Sequence, residues 1–100
     1  MLQIGMLSRS GIKHKGLRRF AFDGDRSGIN PQWIERVEEI LYALDIAVDP
    51  KELDLPHFRL HRLKGNRSDT YSVRVTRNYR ITFKWEEEHP VDVDLEDYHG

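Results

Sequence analysis

The sequence predicts an α+β domain in which helices come first and an antiparallel sheet follows. Three observations carry that prediction. Residues 31–47 place apolar side chains at helical spacing, residues 58–96 place them largely at every second position, and Asp49-Pro50 separates the two patterns. A period near 3.6 marks a helix with one buried stripe, and a period of 2 marks a strand with one buried face. One hundred residues are enough for a single modest core, so residues 1–100 are read as one domain.

Taken in order, Leu2–Leu7 suggests a short first strand weakened by Gly5, and Ser8-Arg-Ser-Gly11 reads as a turn. Met6 is close enough to Met1 to serve as an alternative translation start. Lys13–Phe22 is a short helix with Leu17, Phe20 and Ala21 on one side. Gly16 inside it costs about 1 kcal/mol relative to alanine, so this helix needs tertiary support. Residues 23–28 form a loop. The strongest helix spans Pro31–Ala47: Asn30 suits the N-cap and Pro31 the first position. Trp33, Val37, Ile40, Leu41 and Leu44 supply its apolar stripe, and Glu35, Glu38 and Glu39 face outward. Leu53, Leu55 and Phe58 look like core anchors in the connecting segment.

Four strands are then expected, at about Arg59–Leu63, Asp69–Thr76, Tyr79–Glu86 and Val91–Glu96. Alternation puts Tyr71, Val73, Val75, Ile81, Phe83 and Trp85 on the buried face. A three-residue loop, Arg77-Asn78-Tyr79, would set Thr76 opposite Arg80, Arg74 opposite Thr82 and Ser72 opposite Lys84, all pointing away from the core. Past the next turn, one register sets Asp92 opposite Lys84 and Glu96 opposite Arg80.

The net charge of -1 conceals segregation along the chain. Residues 9–26 carry +4, residues 27–58 carry -5, residues 59–84 carry +7 and residues 85–100 carry -7. A basic block of this kind is an electrostatic footprint for a polyanion, unless the acidic tail neutralises it. Arg59, Arg62, Lys64, Arg67, Arg74 and Arg77 have no evident partner in the sequence, and that surplus favours an anionic ligand.

The absence of cysteine excludes disulfides, thiolate metal sites and Cys nucleophiles. No apolar run reaches eighteen residues and no secretory signal opens the chain, so a soluble intracellular protein without membrane contact is expected. There is no P-loop, Gly-rich dinucleotide turn or serine nucleophile elbow. His57 and His61 are four residues apart, but in a strand that spacing is too long for a compact metal site; neither metal nor cofactor is expected. His61 lies beside Arg62 and Lys64, and histidine gives or takes a proton near neutral pH. Arg80 has two readings, an ion pair with Glu96 or a guanidinium clamp on a phosphate. Asp97-Tyr98-His99 follows an apolar-anchored strand that would hold it beside Arg80.

Lys13-His-Lys-Gly-Leu17, Leu60-His-Arg-Leu-Lys-Gly65, Asn78-Tyr-Arg-Ile-Thr-Phe83 and Glu96-Asp-Tyr-His99 together resemble the HigB-type toxins of bacterial toxin–antitoxin systems, in the RelE/ParE superfamily. Each motif is weak alone; the ordered set covers about Ile12 to His99 and is specific. The resemblance implies two N-terminal helices packed on a small antiparallel sheet. It also implies a cytoplasmic, metal-independent endoribonuclease that cuts mRNA in the A site of the small ribosomal subunit and halts growth. The implied partner is a HigA-type antitoxin carrying a helix-turn-helix.

Residue by residue, His61, Asp97, Tyr98 and His99 match the family's catalytic positions, and Lys64 and Arg80 match cations near the scissile phosphate. Cleavage without a metal needs a base for the 2′-hydroxyl, an acid for the leaving 5′-oxygen and cations for the phosphorane charge. His99 or Asp97 as base with His61 as acid, or the reverse, satisfies this. Tyr98 could stack on a base, while Arg59, Arg62, Arg67, Arg74 and Arg77 would hold RNA phosphates. A gyrase-inhibiting ParE-like toxin, a degenerate toxin that only binds its antitoxin, and a stand-alone nucleic-acid-binding domain are the competing readings.

Overall fold

The computed structural model describes residues 7–97. Two helices, α1 (Lys15–Asp23) and α2 (Ile34–Ile46), precede four strands: β1 (His61–Arg62), β2 (Tyr71–Arg74), β3 (Tyr79–Glu86) and β4 (His89–Asp97). The strands form one antiparallel meander in the order β1-β2-β3-β4. The α+β class and the order of helices and strands agree with the sequence reading.

α1 starts two residues later than expected because His14 caps it, its Nδ1 accepting the Leu17 N–H at 3.1 Å. Gly24, at φ 71°, ends the helix in the left-handed conformation that glycine adopts without strain. The support that Gly16 requires comes from Gly28. A Cβ at position 16 would stand 2.5 Å from the Gly28 carbonyl oxygen, so the two backbones touch where a side chain would hold them apart. α2 is preceded by a 3-10 turn, Pro31–Trp33, capped by the Asn30 side chain on the Gln32 N–H.

Val37, Ile40, Leu41 and Leu44 of α2 are buried with Leu17 and Phe20 of α1 against Val73, Ile81, Phe83 and Val93 of the sheet. The helices therefore cover one sheet face. Tyr71 and Phe83, opposite each other on β2 and β3, stack with ring centroids 5.6 Å apart. Truncating a fully buried aromatic such as Phe83 to alanine costs about 3–5 kcal/mol.

Several expectations about the strands change. The expected strand Arg59–Leu63 contracts to His61–Arg62, because a 3-10 turn, Pro56–Phe58, precedes it and Arg59 stands at φ 50°. The β2–β3 connection is 75–78, not 77–79. Thr76 turns out of the strand, and its Oγ1 accepts the N–H groups of Asn78 and Tyr79 at 3.2 and 3.1 Å. The register consequently moves by two: Arg74 stands opposite Arg80, and Ser72 opposite Thr82. A two-residue shift leaves every side chain on its expected face.

Glu96 does lie opposite Arg80. Nearer the hairpin a bulge interrupts β4, with Asp92 at φ 52°, and Val91 takes the place opposite Lys84. The first strand expected at Leu2–Leu7 lies outside the described residues except for Leu7, which is buried. Beside β4, Ile12 makes a single parallel bridge to Val93.

Candidate active site

The face of the sheet turned away from the helices is built in rows. His61, Ser72, Thr82 and Asp94 are successive Cα partners across the four strands, and Arg74, Arg80 and Glu96 form the next row. Like charges directly opposite in an antiparallel pair are destabilising, so Arg74 facing Arg80 works against the fold.

The candidate residues within 7–97 each have a definite place. His61 is exposed on β1, with Nδ1 2.8 Å from the Leu60 carbonyl oxygen. A carbonyl can only accept, so Nδ1 carries the hydrogen and Nε2 is the nitrogen left to exchange a proton. By strand spacing, the Cα atoms of His61 and Arg80 are about 12 Å apart, within reach of one nucleotide contacted from both sides. Lys64 is exposed at the start of a 3-10 turn, Gly65–Arg67. Asp97 ends β4, exposed and opposite Tyr79. Tyr79 packs on Trp33 with ring centroids 4.5 Å apart, which ties this end of the sheet to the start of α2. Tyr98 and His99 lie outside the described residues.

The five remaining arginines divide. Arg59, Arg74 and Arg77 have no carboxylate partner among the described residues, and Arg62 lies over the Tyr71 ring at 5.0 Å. Arg67 is engaged: its Nη1 and Nη2 donate to Glu96 Oε1 and Oε2 at 3.0 and 2.7 Å. Glu96 also accepts from the Thr82 hydroxyl, so its oxygens are taken by residues other than the expected Arg80. The Arg67 guanidinium holds the Glu96 carboxyl below its ordinary pKa, partly opposed by burial. No periodicity or spacing signals a contact between a loop arginine and a strand glutamate 29 residues apart.

A polar cleft of about 280 Å³ lies on this face, lined by Lys13, Arg67, Thr82, Lys84, Asp94 and Glu96 among others. A larger one of about 360 Å³, between α1 and α2, is lined by Phe20, Leu41, Tyr42 and three glutamates, without a histidine or cation. Neither cleft is lined by His61, Lys64, Arg74 or Arg80.

Comparison with known proteins fixes the family. The family model described as the RelE-like toxin of the type II toxin–antitoxin system HigB matches residues 10–99. A curated relative, the endoribonuclease HigB of Proteus vulgaris, is 38% identical over 88 residues, covering 88% of this chain and 96% of the relative. This chain belongs to the HigB-like toxin family. Membership in a toxin–antitoxin family implies an antitoxin partner, and the α+β fold above is that expected of a RelE-like toxin. Among the described residues of this HigB-like toxin, no helix is long and apolar enough to cross a membrane.

Proposed function

We propose that this HigB-like toxin is a ribosome-dependent endoribonuclease that cuts mRNA on the open face of its sheet. The observation that carries the reading is Arg74 standing opposite Arg80, one row from His61. Two guanidinium-bearing positions side by side on the open face suit a phosphodiester. The similarity to a curated endoribonuclease supports the same activity.

In this scheme the two arginines and Lys64 neutralise the scissile phosphate. A base takes the 2′-hydroxyl proton, the 2′-oxygen bonds to phosphorus, and the P–O5′ bond breaks as an acid protonates the leaving oxygen. The products are a 2′,3′-cyclic phosphate and a free 5′-hydroxyl. His61 works through Nε2 as one member of the acid–base pair, with Asp97 or His99 as the other. Tyr98 stacks on a base, and Arg59, Arg62 and Arg77 guide the RNA strand through its phosphates. The toxin acts in the cytoplasm, where ribosomes present mRNA in the A site, and a HigA-type helix-turn-helix antitoxin neutralises it.

The test is translation of a defined mRNA with the toxin present, with 5′ ends mapped in parallel on the same mRNA without ribosomes. Cuts confined to ribosome-bound mRNA are expected, lost in His61→Ala. Growth arrest that survives replacement of both His61 and His99 by alanine, with no cut mRNA, would contradict the nuclease reading and favour a ParE-like gyrase inhibitor.

A further inference from the structure

The open face carries one contact that the cleavage scheme does not use. Arg67 ends the turn Gly65–Arg67, between β1 and β2, while Glu96 sits on β4 at the far edge of the sheet. The two-pronged bond between them therefore spans β2 and β3. Beneath it Ser72 and Thr82 are 1% and 2% exposed, although alternation aims them away from the core. The Thr82 hydroxyl fixes the same carboxylate from below.

The loop that carries Arg67 is tied at its base. The Leu63 N–H donates to the Thr70 carbonyl at 2.8 Å, and the Thr70 N–H donates to the Arg67 carbonyl at 2.9 Å. A planar guanidinium against a planar carboxylate sets direction as well as distance, which a lysine ammonium cannot do. The ends of this strap are significant. His61 and Lys64 lead into the Arg67 loop, and Asp97 directly follows Glu96.

We propose that Arg67 and Glu96 are positioning residues, whose bidentate pair holds the His61–Lys64 segment at a fixed separation from the end of β4 that carries Asp97. Cleavage then depends on both, although neither touches RNA. The inference rests on the nuclease reading and gives Arg67 a different task from the phosphate contact expected from sequence. Positioning errors near 1 Å cost about 10²-fold in rate, which sets the scale of the effect.

The experiment is a double-mutant cycle on the full chain with Arg67→Met, Glu96→Gln and both together. kcat and KM are measured on ribosome-bound mRNA, and amide exchange of Leu63 and Thr70 is measured in the free protein. Each single variant is expected to lower kcat by about 10- to 100-fold with KM within about twofold. The double variant should be no slower than the worse single, because one interaction is lost once. Exchange at Leu63 and Thr70 should quicken in all three.

Arg67→Lys keeps the charge and loses the fork, so its kcat must also fall; it serves if Arg67→Met does not fold. A raised KM with unchanged kcat in Arg67→Met alone would overturn the proposal and return Arg67 to RNA binding. Multiplying effects in the double variant, or kcat unchanged despite faster exchange, would overturn it too. If the wild type cuts and all variants cut equally, positioning fails and the nuclease reading stands. If the wild type cuts nothing, both fall, and the exchange data retain only the strap as a loop contact.

Discussion

The two ends of the open sheet face are both basic, and they treat their charge differently. At the hairpin end, Lys84 stands 3.6 Å from Asp69 and 3.8 Å from Asp92. At the other end Arg74 faces Arg80 across the β2–β3 pair, with Arg77 exposed in the turn between them. Among the described residues, Arg74, Arg77 and Lys64 have no carboxylate partner. The Arg67–Glu96 pair lies between these ends. The proposed RNA contact falls at the Arg74–Arg80 end.

This contrast can be broken by substitution. The largest effect is expected from Arg80→Ala or His61→Ala, each lowering cleavage by about 10²- to 10³-fold as a phosphate cation or a proton-transfer group is lost. A melting temperature within a degree or two of wild type would show that the loss is chemical. If Arg80→Ala instead mainly lowers the melting temperature while cleavage persists, its structural role was the better account.

Arg74→Ala tests the same end with opposite signs in two measurements. RNA binding weakens, whereas relief of the like-charge pair raises stability by about 0.2–1 kcal/mol in urea unfolding. Lower stability would remove the argument that Arg74 is held against a folding penalty. Lys84→Ala, at the neutralised end, should change cleavage less than about twofold and stability by under about 1 kcal/mol, as for exposed ion pairs.

The smallest effects are in pH dependence. Glu96 is held below its ordinary value of 4.5 by the Arg67 hydrogen bonds, so its folded pKa lies below its unfolded one. The stability it contributes is present above pH 4.5 and is lost as pH falls through the depressed folded value. Glu96→Gln should flatten that acid limb of a plot of melting temperature against pH. Asp45 has the opposite sign. Burial raises its pKa above 3.8 while it accepts the Leu7 N–H at 3.2 Å, so its contribution is lost as pH rises through the folded value. Asp45→Asn should raise the melting temperature at pH 7 slightly and leave it unchanged in acid.

The sequence made one half of this contrast readable. α2 was legible because Asn30, Pro31 and the Val37-to-Leu44 stripe all state the same element locally. The buried sheet face was legible because alternation survives a two-residue register error. The rows on the open face were not, because they depend on which turn closes β2 and β3. Thr76 reads as one more β-branched strand residue, and only its hydroxyl bonds to the Asn78 and Tyr79 amides show that it belongs to the turn. That misplacement set Arg74 opposite Thr82 and hid the Arg74–Arg80 pair. Motif resemblance could nominate His61, Lys64, Arg80 and Asp97, since a motif is local in sequence. The strap could not be nominated, because the hand-off of Glu96 from Arg80 to Arg67 exists only once the loop folds over the sheet.

The most direct measurement compares Arg80→Ala and Lys84→Ala, with wild type, in one mapped cleavage assay on ribosome-bound mRNA. Arg80→Ala is expected to lose at least about 10²-fold in rate and Lys84→Ala to stay within about twofold, at matched melting temperatures. Equal losses in both variants, or wild-type cleavage by Arg80→Ala, would contradict the assignment of the like-charged end of the sheet to RNA.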